Sequence, residues 1–237
     1  MSFLVQLFRA TRDMPTPVAQ AIDAWRALPA VADETPIGQG RFVVVNVETA
    51  GFDARRARLL ALGAVLIENT RVVAQEVFVS VLRYAWPAHD DLVEHGVTSG
   101  MQRAGEPPQE VLSAFLTFVG KTPCVAFHAA FTQTVLDCAL RAELGAQLAN
   151  PWIDLAPLAR TLVPEAQLAG PGLDDWLRHF SLRVLVRDHA LHDAQVTAEL
   201  FAILLQRATA RGLLSLSQLS AAARPSQQVA MGVGLRG

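Results

Sequence analysis

The sequence predicts an α/β layered domain with a mixed sheet. Three observations lead there. Three β-rich runs succeed one another between residues 41 and 81. A short fourth run stands at 124–127, and helical periodicity fills most of the chain beyond it. With 237 residues, 51% of them hydrophobic, the chain can bury a substantial core without a disulfide framework or a structural metal.

Each element has a local reason. Residues 1–39 read as a helical N-terminal extension. Phe3, Leu4, Leu7 and Phe8 fall on one face of a short helix, and Val18, Ile22, Trp25 and Leu28 on that of a second, opened near Pro17. The extension is either a clamp over the domain surface or a partner-binding arm. Arg41-Phe42-Val43-Val44-Val45-Asn46-Val47-Glu48 is a β-branched run, hence a buried first strand, which Thr49-Ala50-Gly51 stops. Leu59–Ile67 and Val72–Val81 make two more strands around the turn signal Glu68-Asn69-Thr70, an antiparallel meander. After Trp86-Pro87 the pattern turns helical. Pro107 or Pro108 opens a helix through Val111, Phe115, Leu116 and Val119 that Gly120 ends. Cys124–Phe127 is the fourth strand. Ala129–Leu144, Ile153–Leu162 and Leu173–Phe180 read as helices, and Asp193 opens the last long one through Val196, Leu200, Leu204 and Leu205. From about Ala221 the chain reads as a disordered tail. The division expected is 1–39 extension, 40–210 domain, and 211–237 C-terminal helix and flexible tail.

Charge narrows the function classes. There are 20 Lys+Arg against 22 Asp+Glu, a formal net charge of −2. A protein that grips duplex DNA by coating phosphates needs a cationic excess, so any nucleic-acid contact should be local, a cleft for one strand end. Only 18% of residues are charged, below the usual share, so a protein partner or a second copy is expected to cover part of the surface. Cys124 and Cys138 sit in apolar surroundings and read as buried free thiols of a reducing compartment. No apolar run reaches the ~20 residues of a spanning helix, and the first residues are too polar for a signal peptide. The expectation is a cytoplasmic protein without a membrane anchor.

The candidate chemistry starts on the first strand. Asn46 and Glu48 are two apart and share a face. They lie at the strand's C-terminal end, where open α/β sheets place their sites. Asp193 comes after a polar loop, Arg187-Asp188-His189-Ala190-Leu191-His192. Taken singly, Glu48 reads as a solvated strand end and Asp193 as a helix cap.

Together they carry a resemblance. Val-Asn-Val-Glu-Thr-Ala-Gly-Phe-Asp at 45–53, with Arg58–Val65 after it, resembles the first motif of the DEDDh 3′–5′ exonucleases, the family of the polymerase III epsilon proofreading subunit. That motif reads Asp-x-Glu-Thr-Thr-Gly. His95-Gly96-Val97-Thr98 is similar to the family's His-Gly-Ile-Thr stretch. Val125–Thr132 resembles its second motif, Val-Ala-His-Asn-Ala-Ala-Phe-Asp, and Arg187–Phe201 its third. The resemblance spans roughly residues 40–208. It implies a ribonuclease H-like fold, a mixed five-stranded sheet flanked by helices. It also implies a cleft for a single-stranded nucleic-acid 3′ end, and Mg²⁺ or Mn²⁺ as cofactors. In the family four carboxylates hold two metals roughly 3.5–4 Å apart, and a histidine acts as general base.

Carried over residue by residue, the five catalytic roles fall on Asn46, Glu48, Thr132, Asp188 and Asp193. Only Glu48 and Asp193 keep the family's residue type, and they are the expected metal ligands. An amide oxygen at Asn46 is a poorer ligand for a hard cation than a bridging carboxylate. Asp188 replaces the base with a group whose solution pKa is about 4. His189, one residue on, is the possible substitute base. Alternatively Asp188, His189, His192 and Asp193 bind a transition metal such as zinc. The resemblance places Thr49, Ala50, Gly51, His128 and Phe131 beside the nucleic acid. From the residues alone His128 reads as a satisfied buried histidine and Phe131 as core. Arg55, Arg56 and Arg58 either steer a phosphate or form a solvated loop. The expectation is a protein that binds nucleic-acid 3′ ends or a partner, with hydrolysis lost or strongly weakened. The alternatives are a working DNA or RNA exonuclease with an altered two-metal site, and a structural or oligomeric subunit with no nucleic-acid contact.

Overall fold

A computed structural model describes residues 14–84, 96–183 and 189–224. The first amphipathic stretch (Phe3 to Phe8), Trp86, His95, Asp188 and the segment after Arg224 lie outside the described residues.

Five strands make one mixed sheet in the order β3-β2-β1-β4-β5. β1 (Arg41–Ala50), β2 (Arg58–Glu68) and β3 (Arg71–Val81) form the expected antiparallel meander. β4 (Cys124–Ala126) runs parallel to β1, and β5 (Trp152–Asp154) parallel to β4. β2 is buried over nine successive residues because both of its faces are covered. β3 lies at the sheet edge and is nowhere fully buried.

The two faces carry different helices. On one, Phe42, Val44, Val65 and Ile67 pack with α5 (Leu155–Leu162), α6 (Leu173–His179), α7 (Ala190–Ala210) and α8 (Leu216–Ala222). Phe42 and Phe201 meet edge to face, centroids 5.2 Å apart, which joins β1 to α7. On the other, Val43, Val45, Leu62, Ala64 and Leu66 pack with α1 (Thr16–Ala27), α3 (Pro108–Val119) and α4 (Ala129–Leu144). A short α2 (Ser99–Ala104) precedes α3 and is capped by Thr98, whose hydroxyl accepts from the Met101 amide.

The N-terminal helix is part of this packing. Val18, Ile22 and Trp25 of α1 are buried. The Trp25 indole donates to the Gly120 carbonyl at 2.8 Å, and the Lys121 ammonium sits 3.3 Å from the centroid of its ring. Partial burial lowers the Lys121 pKa from its usual value. The stretch before β1 is tied to the start of α8. The Ile37 amide donates to Leu214, and those of Leu216 and Ser217 donate to Thr35 and Asp33.

Several expectations need correction. Residues 152–154 are a strand, and the helix read from Ile153 starts at Leu155, because Asp154 caps it by accepting from the Ala156 amide. α7 begins at Ala190 rather than Asp193, with His189 at its cap. β1 runs on to Ala50 through a register shift after Glu48 instead of ending before Thr49. Leu28 ends α1 and is exposed rather than lying on its buried face. α6 stops at His179. The chain is still helical at Ala221 and Ala222 and buries Ala223, so no disordered tail begins at Ala221. Cys124 is buried but Cys138 only half so.

Candidate functional site

The sheet's hand-over from β1 to α7 sets the position of the site. Asn46 and Glu48 extend the row Phe42-Val44 on the α7 face of β1, past the point where apolar residues stop. Asn46 lies opposite Gly63 of β2. A methyl group on Gly63 would run into the carbonyl of Ala190 and the nitrogen of Leu191. Only glycine lets the first turn of α7 rest directly on the sheet beside Asn46. Asp193 stands in that turn, 7% exposed, and its amide donates to the His189 carbonyl at 3.0 Å.

The third contributor arrives through β4. Because β4 is parallel to β1, α4, the next helix in the chain, starts at the same end of the sheet. Thr132 is buried in its first turn. The topology thus brings Asn46, Glu48, Thr132 and Asp193 to one end of the sheet, while Asp188 lies outside the described residues.

Two details bear on chemistry. The Asn46 amide donates to Glu48 Oε1 at 3.2 Å. The side chain at the first position therefore binds its neighbour carboxylate as a hydrogen-bond donor, the opposite polarity to a second carboxylate sharing a cation. The N-terminus of α4 is also already satisfied. Asp154 accepts from the amides of His128 and Ala129, each at 3.1 Å. An internal carboxylate thus occupies the end where a helix would otherwise attract a phosphate.

The strand exit is a closed turn. Thr49 is buried and its hydroxyl donates to the Gly51 carbonyl at 3.0 Å. Gly51 takes φ +98°, the left-handed region open to glycine. Ala50 is half-buried and Gly51 exposed. His128 is exposed in a left-handed conformation and is not the buried histidine expected. The cause is its place at the α4 cap, outside the core. Phe131 is half-buried against the α4-side core. His189 stacks on His192 with centroids 4.3 Å apart, and the Nδ1 atoms of both are buried with no hydrogen-bond partner among the described residues.

The side chains at the family positions do not match the metals that the resemblance implies. Two carboxylates, an amide and a hydroxyl occupy those four positions. Among the described residues no group of three or more His, Cys, Asp or Glu side chains could hold a metal ion. Glu48 and Asp193 offer hard oxygen ligands, but Asn46 and Thr132 bring no charge to offset a second dication. This set does not fit a metal pair; the His/Asp zinc group that the sequence left open includes Asp188, which lies outside the described residues.

Two residues escaped sequence reasoning. Phe52, directly after Gly51, is 86% exposed, and an aromatic placed after a turn glycine was the available signal. Asp154 holds the starts of both α4 and α5. An aspartate before Leu155-Ala156 is a helix-start signature, but its second role depends on β4 and β5 being neighbours.

Comparison with known proteins decides the family. The exonuclease (RNase T) family profile matches residues 43–201, most of the chain. The chain belongs to the exonuclease family. Curated relatives include DNA polymerase III PolC-type of Halalkalibacterium halodurans, 28% identical over 190 residues, which cover 78% of this chain and 13% of that protein. The PolC-type polymerase of Clostridium perfringens is 30% identical over 160 residues, 67% of this chain and 11% of the relative. The chain thus spans only about an eighth of the length of these relatives. Among solved structures, Escherichia coli exonuclease I in complex with a dT13 oligonucleotide aligns with a TM-score of 0.61 at 18% identity, covering 73% of this chain and 43% of that one. The cell-death related nuclease CRN-4 aligns with a TM-score of 0.61 at 12% identity, covering 75% and 66%. The sheet is that of a ribonuclease H-like exonuclease fold, and the motif order is that of the DEDDh 3′–5′ type.

Proposed function

We propose that this exonuclease-family chain holds a single-stranded nucleic-acid 3′ end at the C-terminal end of β1, with metal-dependent hydrolysis lost or strongly weakened. The carrying observation is the 3.2 Å hydrogen bond from the Asn46 amide to Glu48. It ties up an oxygen that would otherwise face a cation, at the position where the family has a carboxylate. Any Mg²⁺ or Mn²⁺ would bind weakly, at one site, through Glu48 and Asp193. Supporting the nucleic-acid reading, exonuclease I was solved with dT13 bound. Thr49, Ala50 and Gly51 shape the turn at the cleft, and Phe52 follows them at its rim. His128 and Phe131 flank the start of α4 on the same side. The polymerase relatives support a protein partner beside the strand end. No described helix is long and apolar enough to cross a membrane.

The test is a pair of measurements. Fluorescence anisotropy should show binding of a single-stranded oligonucleotide. A 3′-labelled strand incubated with Mg²⁺ or Mn²⁺ should remain intact, or shorten at a rate that Glu48→Ala does not change. The retained Glu48 and Asp193 favour a second reading, an active exonuclease with an altered metal site. Shortening that Glu48→Ala abolishes would establish that reading in place of the first.

A further inference from the structure

We propose that the cavity between the β1–β2 turn and α4 binds an internal phosphate of the strand whose 3′ end the cleft holds, an inference that rests on the nucleic-acid reading above. The cavity has a volume of about 540 Å³, and its walls include Arg55, Arg56, Arg58, Tyr84, Cys138 and Glu143. That is within the ~300–1,000 Å³ usual for ligand sites and admits a phosphate with its sugar.

The arginines are presented by an ordered turn. Asp53 organises it: its carboxylate accepts from the Arg55 amide at 3.0 Å, and its carbonyl accepts from the amides of Arg56 and Ala57 at 2.9 and 2.6 Å. Arg58 lies over the Tyr84 ring, 4.9 Å from its centroid. The Arg56 side chain is 89% exposed and its contact with Asp53 is long, 3.7 Å. So open an ion pair is weak, and the guanidinium is available to a stronger anion. Guanidiniums match phosphate oxygens in paired hydrogen bonds. On a chain with net charge −2, three arginines within four positions make a local cationic spot.

Continuity selects nucleic acid over an acidic peptide. The turn continues from Thr49-Ala50-Gly51 without a break. Leu59, Ala139 and Ala142 line the cavity, and Leu59 and Ala139 belong to the α4-side core. Asn46 and Glu48 lie on the α7 side. A strand leaving the cleft therefore crosses the turn to reach the arginines.

Cys138 supplies a readout independent of catalysis. It is half-buried in the cavity wall, whereas Cys124 is fully buried and burial pushes its thiol pKa far up. Alkylation by iodoacetamide at neutral pH thus reports on Cys138. The experiment compares the full chain with its Arg55→Ala/Arg56→Ala variant, using oligo-dT and a dT dinucleotide, with a melting curve to confirm that the variant folds. The variant should bind oligo-dT about tenfold more weakly, with a salt slope shallower by about 0.7 per lost phosphate contact, and bind the dinucleotide unchanged. Oligo-dT should slow alkylation of the parent and not of the variant. Equal affinities of parent and variant for oligo-dT, with no protection of Cys138, would overturn this inference alone and leave the 3′-end reading standing. Protection by polyglutamate but not by oligo-dT would overturn it in favour of an acidic protein partner. A parent that binds neither DNA ligand removes the nucleic-acid reading, and this inference with it.

Discussion

Replacing Gly63 by alanine is expected to destabilise the protein by about 3 kcal/mol or more, at or above the upper end of the usual range for an overpacked core. For a chain of this size that lowers the melting temperature by roughly 6–12 °C. The reason is the seat of α7. A methyl group at 63 meets the backbone of Ala190 and Leu191, and backbone cannot swing aside as a side-chain tip can. The helix start must lift from the sheet or β2 must bend. Gly63 lies within strand β2 and its φ is not in the positive range, so alanine is acceptable to the chain itself and the clash alone is measured. The lift also moves Asp193, one turn along, away from Asn46. The check is a thermal melt beside Gly38→Ala, where nothing lies within 4 Å of the added methyl. If Gly63→Ala melts within about 1 °C of the parent, α7 is not seated on β2 as described.

The second large effect concerns charge. Asn46→Asp combined with Thr132→Asp should lower the melting temperature without metal by about 5–10 °C, and added Mn²⁺ should restore part of it. The double variant gathers four carboxylates at one end of the sheet, two of them at positions as buried as Thr132 and Asp193. Crowded, partly desolvated carboxylates repel one another, and burying an unpaired charge costs several kcal/mol. The variant also loses the Asn46 hydrogen bond to Glu48. A cation that binds only the folded form offsets this by about 2.7 kcal/mol at a hundred times its Kd. The parent should show little response to Mn²⁺. A variant whose melting is unchanged by the substitutions and by Mn²⁺ would mean that these positions do not share one cluster. The expected result accords with the common exchange between stability and activity, in which catalytic carboxylates are costly to hold and their loss relaxes the fold.

Much of the fold was legible because the signals are local. Val43-Val44-Val45 announces a central strand, and Pro108 with Gly120 brackets α3. What escaped depends on neighbours distant in sequence. Trp152-Ile153-Asp154 continues the apolar pattern of the helix after it, and only pairing with β4 makes it a strand. Asp193 looks like a cap because aspartate favours that place, yet the helix starts a turn earlier, where small Ala190 can meet Gly63. The site was legible as an order of motifs and not as geometry. No spacing rule reveals that Asn46 donates to Glu48, or that Asp154 satisfies the start of α4 from another strand.

The seating of α1 governs how far the chain can be shortened. A fragment trimmed just ahead of Arg41, where the motif-bearing part begins, would strip Val18, Ile22 and Trp25 from the surface of α3 and leave Lys121 without its aromatic lid. The bared wall is greasy enough to make such a fragment stick to itself. A minimal version for crystallisation or binding work should keep the helix, and fusion partners belong ahead of Thr16 with a spacer between.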